Sequence, residues 1–378
     1  MLSYWEKQSL LNYDTIVIGS GIVGLSTAVS LKEKLPHHRI LVLERAALPT
    51  GASTKNAGFA CIGSLTEILD DLHSMREEDV VALVELRLRG LKKLRERLGD
   101  KAIGYCENGS YELISGAEES CLDKLSSANK LLHSVLKGDA FTLHSEKIEQ
   151  FGFSTTAVKH LVQNNFEGEL HTGKMMRTLI DLALQKGIEI KTGCQVERVE
   201  EEPNTVKVIV KHTVLNEELI FAADKVVLCT NAFTKQLFPE TDLCPGRGQV
   251  LITEPVANLP FKGIFHFDKG YYYFREIDGR VLFGGGRNKD FRGEESTAFE
   301  FNDAVRNDLL QKLKEIILPG KEFAVSDWWT GIMAFGDTKH PIVERKTPRI
   351  FMGVRMGGMG VAIGTEAGEK LALLVAEV

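Results

Sequence analysis

The chain has six cysteines, Cys61, Cys106, Cys121, Cys194, Cys229 and Cys244, but no C-x-x-C pair. Their spacing fits no zinc template, and none of the ten histidines falls in an H-x-x-H pattern, so a resident metal is not expected. No apolar run approaches the ~18 residues that span a bilayer. Residues 1–14 include Glu6 and lack a basic stretch followed by an apolar one, so they do not read as a secretory signal. A cytoplasmic protein with buried free thiols is the expectation. Positive charge is in deficit: 46 Lys and Arg against 52 Asp and Glu give a net charge of −6, which speaks against a nucleic-acid partner. Internal repeats, low-complexity tracts and obvious linkers are absent.

What is present is 378 residues with 43% hydrophobic and 26% charged side chains, a globular composition long enough for two domains. Asp14 to Gly19 is a short apolar run that reads as a buried strand. Ile22 to Leu35 reads as a helix stopped by Pro36, and Arg39 to Glu44 as a second buried strand. Helical patterns follow over Glu67–Leu98, Glu118–Leu136, Gly173–Lys186, Phe299–Ile317 and Val361–Val375. Strands are expected at Ser110–Ser115, Ile188–Lys191, Val206–Lys211, Lys225–Thr230 and Arg349–Gly353. Gln249–Thr253, Tyr271–Arg275 and Arg280–Gly284 suggest an antiparallel sheet.

Gly19-Ser20-Gly21-Ile22-Val23-Gly24 fits G-x-G-x-x-G. The pattern alone is weak, but here it follows a buried strand, opens a helix, and precedes a strand ending in Glu44, 20 residues past Gly24. Gly19 permits the tight turn, Gly21 lets a pyrophosphate approach the backbone, and Gly24 lets helix and strand pack closely. Ile22 and Val23 begin the helix, whose N-terminus offers N–H groups to phosphate. Glu44 can accept from a ribose hydroxyl and disfavours a 2′-phosphate. The fingerprint by itself does not distinguish FAD from NAD.

Four stretches together resemble the D-amino-acid-oxidase superfamily of flavoproteins, in the branch of glycine, sarcosine and γ-glutamylputrescine oxidases. The first is the fingerprint with Glu44-Arg45. The second is the small-residue segment 51–59, in which Gly51, Ala52, Ser53, Asn56, Ala57 and Gly58 resemble contacts running past the pyrophosphate to the flavin. The third combines Gly246-Arg247-Gly248-Gln249, Tyr271–Arg275 and Gly279–Gly286, which resemble strands over the flavin. The fourth combines Trp329-Thr330-Gly331, Pro341-Ile342-Val343 and the loop Gly357, Gly358, Met359, Gly360 and Val361. That loop leads into a helix and so offers backbone donors to the flavin N1 and C2=O edge. Val196 and Thr230 are counted with the cofactor contacts. Ser3-Tyr4-Trp5 adds a short likeness to the γ-glutamylputrescine oxidase group.

The resemblance implies an α/β fold: a discontinuous Rossmann-like FAD-binding domain (1–88, 152–240, 326–378) and an antiparallel-sheet substrate domain (89–151, 241–325). It implies oxidation of a C–N bond in a small amine or amino acid by hydride transfer to flavin N5, with hydrolysis of the imine. Members with covalent flavin carry a Cys or His that is missing here, so non-covalent FAD is expected. Similar glycine oxidases carry an Arg at the position of Met333, and sarcosine-oxidase-like enzymes a Lys at the position aligned with Leu282. Their replacement argues against small amino acids as substrates and for slow re-oxidation by oxygen. Tyr271 and Tyr273, on one face of a strand, are the candidate substrate-binding phenols. Arg247, Arg275, Arg287 and Arg355 are the candidate carboxylate clamps, with Arg355 preferred because it adjoins the flavin loop. The rival readings are an NAD(P)-dependent dehydrogenase, a non-catalytic FAD-binding module, and an enzyme acting on an RNA-borne amine.

Overall fold

The computed structural model describes residues 2–212 and 217–377. Among these residues the fold is built on two eight-stranded sheets and one two-stranded ladder. The first sheet has a parallel centre. Strand Asn12–Ile18 lies between Ile40–Leu43 and the C-terminal half of Glu217–Leu228, and the parallel run continues outward to Glu189–Lys191 and Ile350–Val354. Ile40–Leu43 and Ile350–Val354 are apolar and buried on both faces, helices covering the sheet on one side, and an antiparallel extension, Val196–Glu201 with Val206–His212, continues the sheet at Glu217–Leu228. The second sheet runs in the order Val325–Phe335, Cys244–Thr253, Arg280–Gly285, Tyr272–Ile277, Ile264–Phe267, Ser110–Ile114, His160–Asn164, Phe141–Leu143. It is antiparallel throughout except where Ile264–Phe267 meets Ser110–Ile114.

The expected α/β class is found, but the expected domain limits cut through elements. Position 88 lies inside helix Glu77–Leu98, whose Val80, Leu83, Leu91 and Leu94 share a core with Val29 and Leu371 of the first unit. Strand His160–Asn164, beyond the limit at 152, pairs with Ser110–Ile114 in the second sheet. Position 326 falls in strand Val325–Phe335, which pairs along its length with Cys244–Thr253. The helix expected over Glu67–Leu98 is two, Leu65–Ser74 and Glu77–Leu98, because Met75 and Arg76 take extended conformations. The Glu118–Leu136 pattern opens as a 3-10 turn, and Phe299–Ile317 becomes a helix only from Asp303, capped by Asn302.

The fingerprint helix Ile22–Lys34, the final helix Gly360–Ala376 and Glu77–Leu98 form one layer against the first sheet. Their contacts are too close for side chains. A Cβ at Gly90 would stand 2.0 Å from the Ala362 carbonyl oxygen, and one at Gly368 would stand 2.9 Å from the Thr27 nitrogen.

The connection between the two sheets is polar. The Glu112 carboxylate, on the second sheet, accepts from Ser64 Oγ at 2.8 Å, from Thr66 N at 3.1 Å and from Thr66 Oγ1. Glu167 accepts from Ile62 N at 2.6 Å, Gly63 N at 2.8 Å and Ser110 Oγ at 2.6 Å. The buried Arg87 donates to the Ile62 carbonyl at 2.7 Å and pairs with Glu67 at 3.2 Å. Residues 61–67 are thereby fixed from both units.

Two outcomes test this packing. Gly90→Ala gains about 1 kcal/mol of helix propensity, yet the backbone contact forces the helices apart at about 1–3 kcal/mol. Its thermal midpoint is expected to fall by a few degrees, and a midpoint at or above the parent's would show that the crossing has room. Burial raises the Glu112 carboxyl to about 7, against about 4.3 in an unfolded chain. The folded state therefore retains this proton, and the associated stability is complete below about pH 4.3 and lost as pH rises through 7. Glu112→Gln should remove that decline, on the order of 3 kcal/mol, as read by denaturant unfolding at pH 5 and pH 8.

Candidate functional site

The first parallel strand ends at Ile18, and the chain turns at Gly19, whose φ of +108° suits glycine. Gly19 N donates to Leu43 O at 2.8 Å, joining the turn to the next strand. A Cβ at Gly24 would lie 1.9 Å from Gly19 O, so the helix seats directly on the turn. Gly24 is thus a packing residue and does not face the cavity that opens here, whereas Gly19, Gly21, Ile22 and Val23 do. Ser53 Oγ accepts from Ile22 N at 3.0 Å and would meet a Gly21 Cβ at 2.9 Å. The small-residue segment is therefore pressed against the fingerprint.

Glu44 is buried beside this turn. Its carboxylate accepts from Ser20 Oγ at 2.6 Å, Ser20 N at 3.3 Å and Ala46 N at 3.2 Å, leaving lone pairs for a further donor. Arg45 lies with its guanidinium 3.6 Å from the Phe233 ring centre, and its buried Nη2 has no hydrogen-bond partner among the described residues. Burial lowers its pKa, opposed by Glu44. Gly51, Ala52, Ser53, Asn56 and Ala57 line the cavity, while Gly58 stands behind it against Leu170 O. Asn56 organises the segment: its side chain donates to Ser53 O at 2.8 Å and accepts from Gly58 N and Thr172 Oγ1, each at 2.9 Å. Trp329 Nε1 donates to Lys55 O at 3.0 Å, so the Trp-x-Gly tryptophan ties this segment to the second sheet. Val196 and Thr230 line the dinucleotide end, and Gly331 the middle.

At the other end, Gly357 and Gly358 have φ of +57° and +84°, and Gly357 N donates to Ala334 O at 3.1 Å. The loop delivers Met359, Gly360 and Val361 to the cavity wall as the final helix begins. Two helix N-termini thus face one cavity of about 630 Å³.

Tyr271, Tyr273 and Met333 line its far end. The expected alternation holds, although the strand begins only at Tyr272: Tyr272 points the other way, donating to Asp308 at 2.6 Å. The Tyr273 ring lies edge-on to Phe59 at 5.7 Å, and loss of water pushes its phenol up to about 12. His266, edge-on to Phe59 at 5.1 Å, is held below its ordinary pKa by burial.

Arg355 is not the substrate clamp expected from sequence. It does not line the cavity, its φ is +65°, and its guanidinium pairs with Asp242 and donates to His340 O at 3.1 Å and Thr338 Oγ1 at 3.0 Å. Arg247 is bidentate to Glu294 at 2.9 and 3.0 Å, and Arg275 pairs with Glu169 at 3.4 Å. Neither lines the cavity. Leu282 does not line it either: it packs with Ala57 and Val250 one layer back, so the argument for slow re-oxidation loses its geometry. Arg287, five positions on, does line it. Sequence reasoning also passed over His266, Lys269 and Phe335, which line the cavity; only His266, opposite Tyr273 on the neighbouring strand, has a local signal in that strand's pairing. Among the described residues, no group of three or more His, Cys, Asp or Glu could hold a metal ion, and no helix is long and apolar enough to cross a membrane.

Residues 14–374 match the family model described as FAD dependent oxidoreductase. The probable oxidoreductase OrdL of Haemophilus influenzae is 24% identical over 377 residues, covering 95% of this chain and 82% of that protein. The crystal structure of glycine oxidase from Geobacillus kaustophilus superposes with a TM-score of 0.77 at 18% identity, covering 97% of this chain and 95% of that one. L-proline dehydrogenase from P. horikoshii superposes with a TM-score of 0.76, also at 18% identity, covering 97% and 94%.

The cradle geometry yields one direct test. Gly21→Val puts a branched side chain against Ser53 and into the cavity. Cofactor affinity is expected to fall about tenfold to a hundredfold, read by titrating stripped protein with FAD and following visible absorbance. Unchanged affinity would remove the fingerprint from the site.

Proposed function

Because the chain belongs to the family of FAD-dependent oxidoreductases, whose model spans residues 14–374, we propose that it oxidises the C–N bond of a small amine or amino acid longer than glycine. The observation that carries this reading is one continuous cavity that joins the dinucleotide cradle to a chamber lined by Tyr271, Tyr273, Phe59 and Met333. The cradle fits FAD. It has a slot that a Gly21 Cβ would fill, an orphaned buried donor at Arg45 Nη2, and the start of the final helix for the ring's electron-rich edge.

When bound, FAD supplies the acceptor at N5 for a hydride from the carbon beside the substrate nitrogen, and the resulting imine is hydrolysed. The protein contributes position and a dry, shaped wall. Tyr273 stays protonated through neutral pH, since its phenol is pushed up to about 12. It can orient a substrate by hydrogen bonding without acting as a base. Asp70 and Glu67, which also line the cavity, are engaged by Lys269 at 2.7 Å and Arg87 at 3.2 Å.

Met333 sets the lower limit on substrate size. Its Sδ lies 3.7 Å from the Cβ position of Gly358, so the thioether covers the flavin loop. A thioether cannot replace the hydration that a carboxylate loses there. The missing partner costs about 2–5 kcal/mol, roughly thirtyfold to several thousandfold in binding.

Anaerobic reduction of the flavin by glycine, sarcosine and D-alanine is therefore expected to be slow, and reduction by N-alkylamines or γ-glutamyl-amines faster. Met333→Arg should raise the small-amino-acid rate at least about tenfold. Fast reduction of the parent by sarcosine would refute the size argument. Failure of every amine to bleach the flavin would favour a non-catalytic FAD-binding module.

A further inference from the structure

The cations around the cavity are not equivalent. Lys269 pairs with Asp70 at 2.7 Å, and Lys339 pairs with Asp71. Arg45 belongs to the dinucleotide end beside Glu44. Lys55 has its ammonium 5.6 Å from the Phe299 ring centre and its backbone bound to Trp329. Arg287 is set apart from the paired lysines by its free donors, and from Arg45 by its place. It lines the far end, is half-buried, and makes no side-chain hydrogen bond or ion pair with any described residue. Its guanidinium lies 4.0 Å from the Phe335 ring centre and 4.9 Å from that of Phe291. Burial pulls its pKa below the usual guanidinium range, with Tyr271 and Glu294 acting in the opposite sense. The Glu294 carboxylate is itself held by Arg247.

A half-buried guanidinium with free donors is an unbalanced charge, and its natural complement is a planar anion. Rings near the guanidinium limit its rotation without consuming N–H donors, which leaves the fork open for two parallel hydrogen bonds. The backbone holds this group firmly. Gly285 and Gly286 have φ of +122° and +74°, and Gly286 N donates to Tyr271 O at 3.0 Å. A Cβ at Gly285 would stand 2.0 Å from Tyr271 O. The turn carrying Arg287 is thus locked to the residue carrying the Tyr271 phenol, and both side chains face the same cavity.

We propose that Arg287, assisted by Tyr271, is the carboxylate-recognising group of this site, so that the substrate is an amine whose carboxylate is bound on the Phe335 wall. The inference rests on the amine-oxidising reading and deepens it. It also explains how a site with Met333 can take a charged substrate: the carboxylate is received on the wall bearing Arg287, not at Met333, and this favours a spacer between nitrogen and carboxylate.

The test uses the FAD-loaded enzyme with matched probes. Sarcosine, N-methyl-β-alanine and 4-(methylamino)butanoate are compared with the N-methylamide of each, following anaerobic flavin reduction for the limiting rate and the apparent Kd. Acetate and acetamide are titrated separately, following the flavin spectrum. The parent is expected to prefer at least one of the longer carboxylates to its amide, and to bind acetate but not acetamide. Arg287→Gln should raise the apparent Kd of the carboxylates by about thirtyfold or more, leave the amides within about twofold, and abolish the acetate response. Arg287→Lys should recover part of the affinity, because charge returns without the fork. Equal losses for carboxylates and amides, or an acetate response unchanged in Arg287→Gln, would overturn the proposal while leaving amine oxidation standing. Absence of reduction by any probe in the parent would overturn amine oxidation, and the acetate titration would still decide the role of Arg287. If Arg287→Gln loses its FAD, the decision passes to Arg287→Lys and the parent's acetate–acetamide contrast; no contrast in the parent would overturn the proposal.

Discussion

The site depends on backbone meeting backbone without an intervening side chain. Gly24 rests on the Gly19 carbonyl, Gly368 on residues of the fingerprint helix, and Gly90 on the Ala362 carbonyl at the start of the final helix. These contacts fix three helices against the parallel strands at distances that no Cβ permits. The consequence is electrostatic as well as steric. The fingerprint helix and the final helix both begin at the cavity, so their unpaired N–H groups are held at two separated points along it. One suits a pyrophosphate, and the other suits an electron-rich ring edge. Relaxing any of the three contacts shifts one donor set relative to the other.

Much of this was legible in the sequence, for reasons that can be named. The fingerprint could be read because a buried strand, a glycine pattern, a helix and an acid-terminated strand coincide within Asp14–Glu44. The final helix could be read because a glycine-rich loop, Gly357 to Gly360, leads into a segment of alanine, valine, leucine and isoleucine broken only by short polar stretches. Strand Val325–Phe335 was less visible: Asp327 and Gly331 interrupt its pattern, and its alternation becomes regular only from Thr330. Its pairing with Cys244–Thr253 is a long-range fact that local propensity does not carry.

The arginines mark the limit of sequence reading most clearly. Arg247, Arg275, Arg287 and Arg355 look alike in the sequence, yet three are engaged by Glu294, Glu169 and Asp242 and only the fourth faces the cavity with free donors. Each pairing joins residues at least 47 positions apart, so no local signal announces it. Leu282 fails for a related reason. A strand alternates strictly until its backbone leaves the extended region, and here that happens at Gly285, where φ turns positive. The position that faces the cavity beyond that point is set by the turn, and the turn presents Arg287.

The two ends of the cavity therefore handle charge by different means. At the dinucleotide end, charge is met by backbone donors and by carboxylates already coordinated, as Glu44 is by Ser20 and Ala46. At the far end, aromatic rings surround the polar groups: Phe59 flanks Tyr273 and His266, while Phe291 and Phe335 flank Arg287. Rings exclude water but accept hydrogen bonds poorly, so the polar groups among them keep their capacity for a ligand. The same exclusion raises the Tyr273 phenol and lowers the His266 imidazole and the Arg287 guanidinium, in each case favouring the neutral form. For the proposed amine oxidation such surroundings would favour a neutral amine, and an amine must be neutral before its lone pair can become part of a C=N bond. On the proposed amine-oxidising reading, exclusion of water by Phe59, Tyr273 and Met333 would act on substrate protonation as well as on substrate shape.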